Sequence, residues 1–165
     1  MKKIALASLL ALAGITAQAQ SVYADVAYQM IDSGLSSDPA VVRGIVGYQF
    51  NPAMSAEVLL GLNARDGKDN VFGVPLKAKV DRMVGAYGKY TLPLNNAFEL
   101  YGRLGFISSK LKGTAGGFST SASGSGISYG VGASYKVTPA LALNVDYMDY
   151  DDLGDGVAVG LKFSF

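Results

Sequence analysis

Between residues 22 and 165 apolar and polar side chains alternate in eight separate runs, and this period of two limits the fold more than any other feature of the chain. It puts successive side chains on opposite faces of extended strands. The first run sets Val22, Ala24, Val26, Tyr28 and Met30 on one face against Tyr23, Asp25, Ala27 and Gln29 on the other. The apolar faces of the next four runs are Val42 to Phe50, Ala56 to Leu62, Val80 to Leu92 (interrupted by Arg82) and Phe98 to Phe106, each taken at every second residue. Ile127 to Tyr135, Leu141 to Tyr147 and Val157 to Phe165 complete the set in the same way. Pro52, Pro93 and Pro139 each follow a tyrosine (Tyr48, Tyr90, Tyr135) by three or four residues and mark tight turns. Longer polar loops are expected at 32–40, 64–79, 107–126 and 149–156. Four long loops on one rim and three short turns on the other imply an all-β fold, an eight-stranded antiparallel up-and-down transmembrane β-barrel.

Alternation alone does not say which face is inside. The polar face is built mostly of Gly, Ser and Ala, too small for a solvated strand surface, and an eight-stranded barrel has an interior just wide enough to be filled by side chains. Its charges balance: Arg43, Lys89, Arg103, Lys136 and Lys162 against Asp25, Glu57, Asp81, Glu99 and Asp146, five of each sign. Burial in a lumen requires such pairing. The apolar face then meets lipid, with Tyr48, Phe50, Tyr90, Phe98, Phe106, Tyr135 and Phe163 as a girdle at headgroup level.

Residues 1–19 have the form of a secretory signal peptide: Lys2 and Lys3, an apolar run over 4–15, and Ala17-Gln18-Ala19 as the cleavage signature. The run is too short to span a bilayer as a helix. The expected division is therefore signal peptide 1–19 and barrel domain 20–165. With 14 basic against 13 acidic residues the chain lacks the cationic excess of a nucleic-acid binder. It has no Cys and no His, so thiolate and imidazole chemistry are closed to it, and no metal site, cofactor or catalytic residue is expected.

The terminal run Val157, Val159, Leu161, Phe163, Phe165, ending on an aromatic residue, resembles the C-terminal signature of outer-membrane β-barrels. Together with the Tyr48-x-Phe50-Asn51-Pro52 turn and the eight runs, it makes the chain similar to small OmpA/OmpX-type barrels along its whole length. The resemblance implies location in the bacterial outer membrane and recognition of the terminal strand, through Phe165, by the barrel-assembly machinery. Larger members of that family carry a periplasmic peptidoglycan-binding domain, and no wall anchoring is carried over from them.

Three functions remain open on the sequence. The first is a structural or surface-interaction barrel, monomeric, with a filled lumen and loops that contact an extracellular ligand. The second is a narrow porin-like conduit for small solutes, and the third a lipid-modifying enzyme. Arg65, Lys68, Lys77, Lys79, Arg82, Lys110 and Lys112 gather near the long-loop rim, where they are candidates for contact with lipopolysaccharide phosphates. Asp149, Asp151, Asp152 and Asp155 cluster in the last loop, but Leu153 stands where a third ligand would fall, and a solvated acidic loop is expected. Residues 112–126, almost all Gly, Ser, Thr and Ala, are expected to form a mobile external loop.

Overall fold

A computed structural model describes residues 21–165 apart from 33, 35, 72, 73, 116, 117 and 151–153; the expected signal peptide lies outside them. The described residues form nine strand segments: β1 (Ser21–Asp32), β2 (Ala40–Gln49), β3 (Met54–Arg65), β4 (Gly67–Val71), β5 (Val74–Pro93), β6 (Phe98–Ala115), β7 (Phe118–Thr138), β8 (Leu141–Asp149) and β9 (Asp155–Ser164). Every pairing is antiparallel. β1 pairs with both β2 and β9, and β3 pairs with β5, so the sheet closes into a barrel. β4 continues β3 beyond a break at Asp66 and lies on the outer part of β5, so nine segments make eight staves.

The alternation sorts side chains as the runs imply. Along β1, Tyr23, Asp25, Ala27, Gln29 and Ile31 are buried inside, while Val26, Tyr28 and Met30 are exposed on the outside. Leu62, Leu104, Phe106, Val131 and Val159 likewise face outward. On β6 the outward apolar band runs from Phe98 to Phe106, nine residues, the length a tilted strand needs to cross a bilayer. No helix among the described residues is long and apolar enough to cross a membrane; the crossing is made by strands.

Two of the three short turns share a device. Asn51 Oδ1 accepts the N–H groups of Ala53 and Met54 (both 2.9 Å), and Asn95 Oδ1 accepts those of Ala97 and Phe98 (both 2.8 Å). A side-chain carbonyl thus stands in for the missing ladder partner at these two reversals. Among the glycines that close approach requires, two face the ring of a tyrosine on the neighbouring strand. A Cβ at Gly47 would lie 2.1 Å from Tyr23 Cζ, and one at Gly132 would lie 2.5 Å from Tyr101 Cζ. Each glycine stands opposite its tyrosine in the ladder, leaving a socket in which the ring lies flat against the wall.

The long-loop side departs from expectation in two places. Of residues 112–126, those described, 112–115 and 118–126, are strand: β6 and β7 stay in register from Phe98↔Tyr135 to Ala115↔Phe118, well beyond the apolar band. A segment too poor in apolar groups to fold alone is held by templating on a neighbouring strand. Much of the expected 64–79 loop is likewise the β4–β5 hairpin.

Candidate functional site

Six charged side chains from six different strands meet inside the barrel. Arg103 of β6 is the hub: its Nε donates to Glu57 Oε2 (2.6 Å), its Nη1 to Asp146 Oδ2 (2.8 Å), and its Nη2 lies 3.9 Å from Asp25 Oδ2. Arg43 of β2 forks onto the same Asp146 carboxylate at 2.9 and 2.7 Å. Lys89 of β5 stands 3.5 Å from Glu57 and 4.2 Å above the Tyr101 ring. Neutral donors complete the layer. Tyr23 donates to Glu57 (2.5 Å), Tyr101 to Asp146 (3.0 Å), and Asn144 to Asp25. Asp25, Glu57 and Asp146 thus face Arg43, Lys89 and Arg103, three against three, all buried. A pair that is neutral in sum and hydrogen-bonded is the arrangement in which the desolvation of buried ions is offset.

Nearer the short turns, Glu99 pairs with Lys136 (2.5 Å) and Lys162 (3.3 Å), both less buried than the central layer. Asp81 does not join either group. The β5–β6 register shifts between Val80 and Arg82, so Asp81 is the extra residue of a bulge and every residue beyond it changes face. Val80, expected on the lipid face, is buried in the lumen, and Asp81 instead accepts a bond from Lys112 (3.1 Å) outside the barrel.

On the long-loop side of the charges the lumen is apolar. Ile31, Val41, Ile45, Leu59, Val80, Met83, Tyr87, Ile107, Met148 and Tyr150 pack together as a buried cluster. This second layer was present in the polar-face parity, where Ile45, Leu59, Met83 and Met148 interrupt the small and charged residues. The interior is therefore filled by a charged layer and an apolar layer, one above the other.

Of the seven rim cations, six share one outward sheet face. Directly opposed across strands are Lys68 and Lys77, Lys79 and Lys112, and Arg82 and Lys110. Each pair has the same sign. The lowest pair sits immediately above the apolar band, which ends at Val84 on β5 and Phe106 on β6. Asp81 is set among them by the bulge, and the Lys112 ammonium bonded to it holds its carboxyl below the usual carboxylate range. Arg65 stands apart, with its guanidinium donating twice to the Asp38 carbonyl (3.2 and 2.9 Å). Beside this face Ser36 donates to Asp69 (2.7 Å) and, with the Asn70 N–H, keeps the Asp69 carboxyl low as well. A groove of about 380 Å³ runs along Lys77, Lys79, Lys112, Thr114, Ser119 and Ser121.

The expected aromatic residues divide between two levels. Tyr48 and Phe50 (5.2 Å, edge to face), Phe98 and Tyr135 (4.8 Å), Tyr90 and Phe163 lie toward the short turns. Phe106 lies at the other border of the band, where Tyr28, Tyr129 and Tyr147 accompany it; these three were not among the expected girdle. Phe165 is exposed, its N–H bonded to the Val22 carbonyl (3.0 Å). Of the acidic quartet, Asp149 and Asp155 oppose each other where β8 meets β9, and Asp151 and Asp152 fall outside the described residues.

A family model for the outer membrane protein beta-barrel domain matches residues 4–165. Outer membrane protein A of Salmonella typhi is 26% identical over an alignment spanning 191 positions, covering 98% of this chain and 52% of that protein, so the chain spans about half the length of this curated relative. Among solved structures, the N-terminal β-barrel domain of Pseudomonas aeruginosa OprF superposes with a TM-score of 0.66 at 13% identity, covering 88% of this chain and 97% of that one. Ail of Yersinia pestis, solved in complex with the heparin analogue sucrose octasulfate, gives 0.60 at 20% identity over 88% and 97%. Neisserial surface protein A gives 0.60 at 20% identity over 92% and 100%.

Proposed function

Because this chain belongs to the outer membrane protein β-barrel domain family and crosses the bacterial outer membrane as a closed eight-stave barrel, we propose that it is a surface-interaction barrel with a plugged lumen, whose outward basic face holds the phosphates of lipopolysaccharide. The observation that carries this reading is the trio of like-charge pairs, Lys68 with Lys77, Lys79 with Lys112 and Arg82 with Lys110. Like charges directly opposed across strands destabilise a sheet, by about 1 kcal/mol for unit charges 4 Å apart in bulk water. Three such pairs stacked on one face, with Asp81 as their bonded anion, make a surface that gains by binding further anions. Its position just above the apolar band sets it at the level of the phosphorylated headgroups of the outer leaflet.

That Ail was solved with a polysulfated ligand supports a polyanion as the class of partner. Arg65, tied to Asp38, takes little part. We assign the two aromatic belts to headgroup contact, Phe165 to recognition by the assembly machinery, and no catalytic role to the chain. The test is retention of lipopolysaccharide by the refolded protein. Native protein should hold phosphorylated lipopolysaccharide several-fold better than the dephosphorylated form. A Lys77→Gln, Lys79→Gln variant should lose that preference, and added salt should weaken it. Equal retention of both forms by native protein would overturn the proposal.

A further inference from the structure

Glycine weakens a strand, and the inward glycines Gly47 and Gly132 have their reason in the rings they face. Gly88, on the outward face of β5, has no such reason. A Cβ there would meet nothing nearer than the Leu104 carbonyl at 3.8 Å, and its φ is not positive. It stands directly opposite Ala56 of β3, and its neighbour on the same face, Ala86, stands opposite Val58. With Tyr48 on one side and Leu104 and Phe106 on the other, these small residues leave an outward groove of about 670 Å³. A strand glycine that the wall does not need, on the floor of a groove, marks a place where something outside comes close.

The groove has a direction. It follows the cross-strand row Leu104, Gly88, Ala56, Tyr48, three strand spacings or about 14 Å long. At one end Phe106 closes the apolar band at the outer border, and at the other Tyr48 belongs to the belt near the short turns. Because the staves are tilted, the row descends through the membrane from β6 to β2. Its outer end lies below the lowest cationic pair: Lys110 is four residues beyond Phe106 on β6, and Arg82 four residues beyond Ala86 on β5. Ser108 and Val84, themselves opposed, stand between on the same face. A second outward groove, of about 650 Å³, follows the row Tyr90, Gly102, Val131, Tyr147 across β5 to β8. Its outer end, at Tyr147, lies two residues from the opposed pair Asp149 and Asp155. Two grooves of similar size thus carry opposite charge at their heads.

We propose that the groove floored by Gly88 seats one saturated acyl chain of the lipopolysaccharide molecule whose phosphate lies at Arg82 and Lys110, and that the groove floored by Gly102 does not. This rests on the lipopolysaccharide reading of the basic face and names a second part of the same ligand. A straight, unbranched chain fits a narrow row whose floor is Ala56, Ala86 and Gly88, and the missing Cβ lets it touch the strand backbone. Charge selects between the grooves, since a phosphate is drawn to Arg82 and Lys110 and repelled by Asp149 and Asp155. Held at the head by charge and along the chain by shape, a phosphorylated glycolipid is separated from a soluble polyanion that carries no chain.

The probe is diphosphoryl lipid A with six saturated chains, titrated onto the refolded protein in uncharged detergent micelles, with the bound fraction read by native mass spectrometry. The same lipid cut back to four chains should bind native protein several-fold more weakly. A Gly88→Leu, Ala56→Leu variant fills the groove and should erase that difference, while still preferring phosphorylated to dephosphorylated lipid A. Gly102→Leu, which fills the second groove, should behave as native. Should the filled variant fail to fold, native protein is irradiated with lipid A bearing a diazirine at its chain ends, and cross-links are expected at Tyr48, Ala56 and Val58. Three results would overturn this inference alone: a chain preference that survives in the filled variant, cross-links spread evenly around the staves, or cross-links that join two copies of the protein. Equal binding of phosphorylated and dephosphorylated lipid A by native protein would overturn the basic-face reading and this inference with it.

Discussion

Replacing Arg103 by Met removes the hub of the lumen while keeping much of its volume. Glu57 retains Lys89 at 3.5 Å and the Tyr23 hydroxyl, and Asp146 retains the Arg43 fork and Tyr101. Asp25 is left with Asn144 alone. The central layer then holds three carboxylates against two cations. Breaking a buried ion pair from one side costs about 3–5 kcal/mol, and because two of the three anions keep another cation we expect the lower end, about 3 kcal/mol, or roughly two decades in the folding constant. Urea unfolding in lipid vesicles, followed by the heat-dependent shift in gel mobility, measures it. Adding Asp25→Asn, which removes the carboxylate left without a cation, restores two against two and should recover about half the loss. The same proteins in a planar bilayer read the lumen directly: the native barrel should be silent, and Arg103→Met should show brief unitary steps. A loss below 1 kcal/mol, with no recovery in the double variant, would refute the argument that charge balance holds the layer together.

Gly47→Ala should destabilise the barrel by about 1–3 kcal/mol through overpacking against Tyr23. Gly44→Ala on the same strand meets only the Leu60 carbonyl at 4.0 Å and should be near neutral in the same urea assay. Phe165→Ala should lower the yield of folded protein in cells with less effect on refolding in vitro; undiminished yield would remove its role in assembly. In carboxyl-detected NMR, Asp81 should titrate below the usual carboxylate range and return to it in Lys112→Gln. Because its folded value is depressed, the contribution of the pair to folding is present above the unfolded pKa and lost as pH falls through the folded one.

The membrane-spanning part of the fold was legible because each stave has one face in lipid and one in a narrow lumen, and period two records that division at every residue from Phe98 to Phe106. Above the band both faces of the hairpins are wet, the pattern loses its meaning, and Ser119 to Ser125 read as a loop although they are strand. Asp81 was misplaced for a different reason. Parity arguments carry a register forward, and a bulge resets it without any residue type that announces the break. Tyr28, Tyr129 and Tyr147 fall at different places in their runs, the second inside its run and the last at its end, and only the level of the membrane border shows that they lie together. The like-charge pairs were invisible until strand register showed which lysines stand opposite one another.

The bulge at Asp81 gives β5 an unusual sensitivity to chain length. One residue inserted into β6 opposite Asp81 would give the bulged residue a partner, carrying Lys77, Lys79 and Lys112 toward the lumen and turning Ala78, Val80 and Leu111 outward, while leaving the register from Arg82 to Pro93 unchanged. In evolutionary terms a single codon separates a cationic rim from a greasy one. Insertions and deletions at this position, more than substitutions, are how relatives of this barrel could exchange one surface for another without rebuilding the part that crosses the membrane.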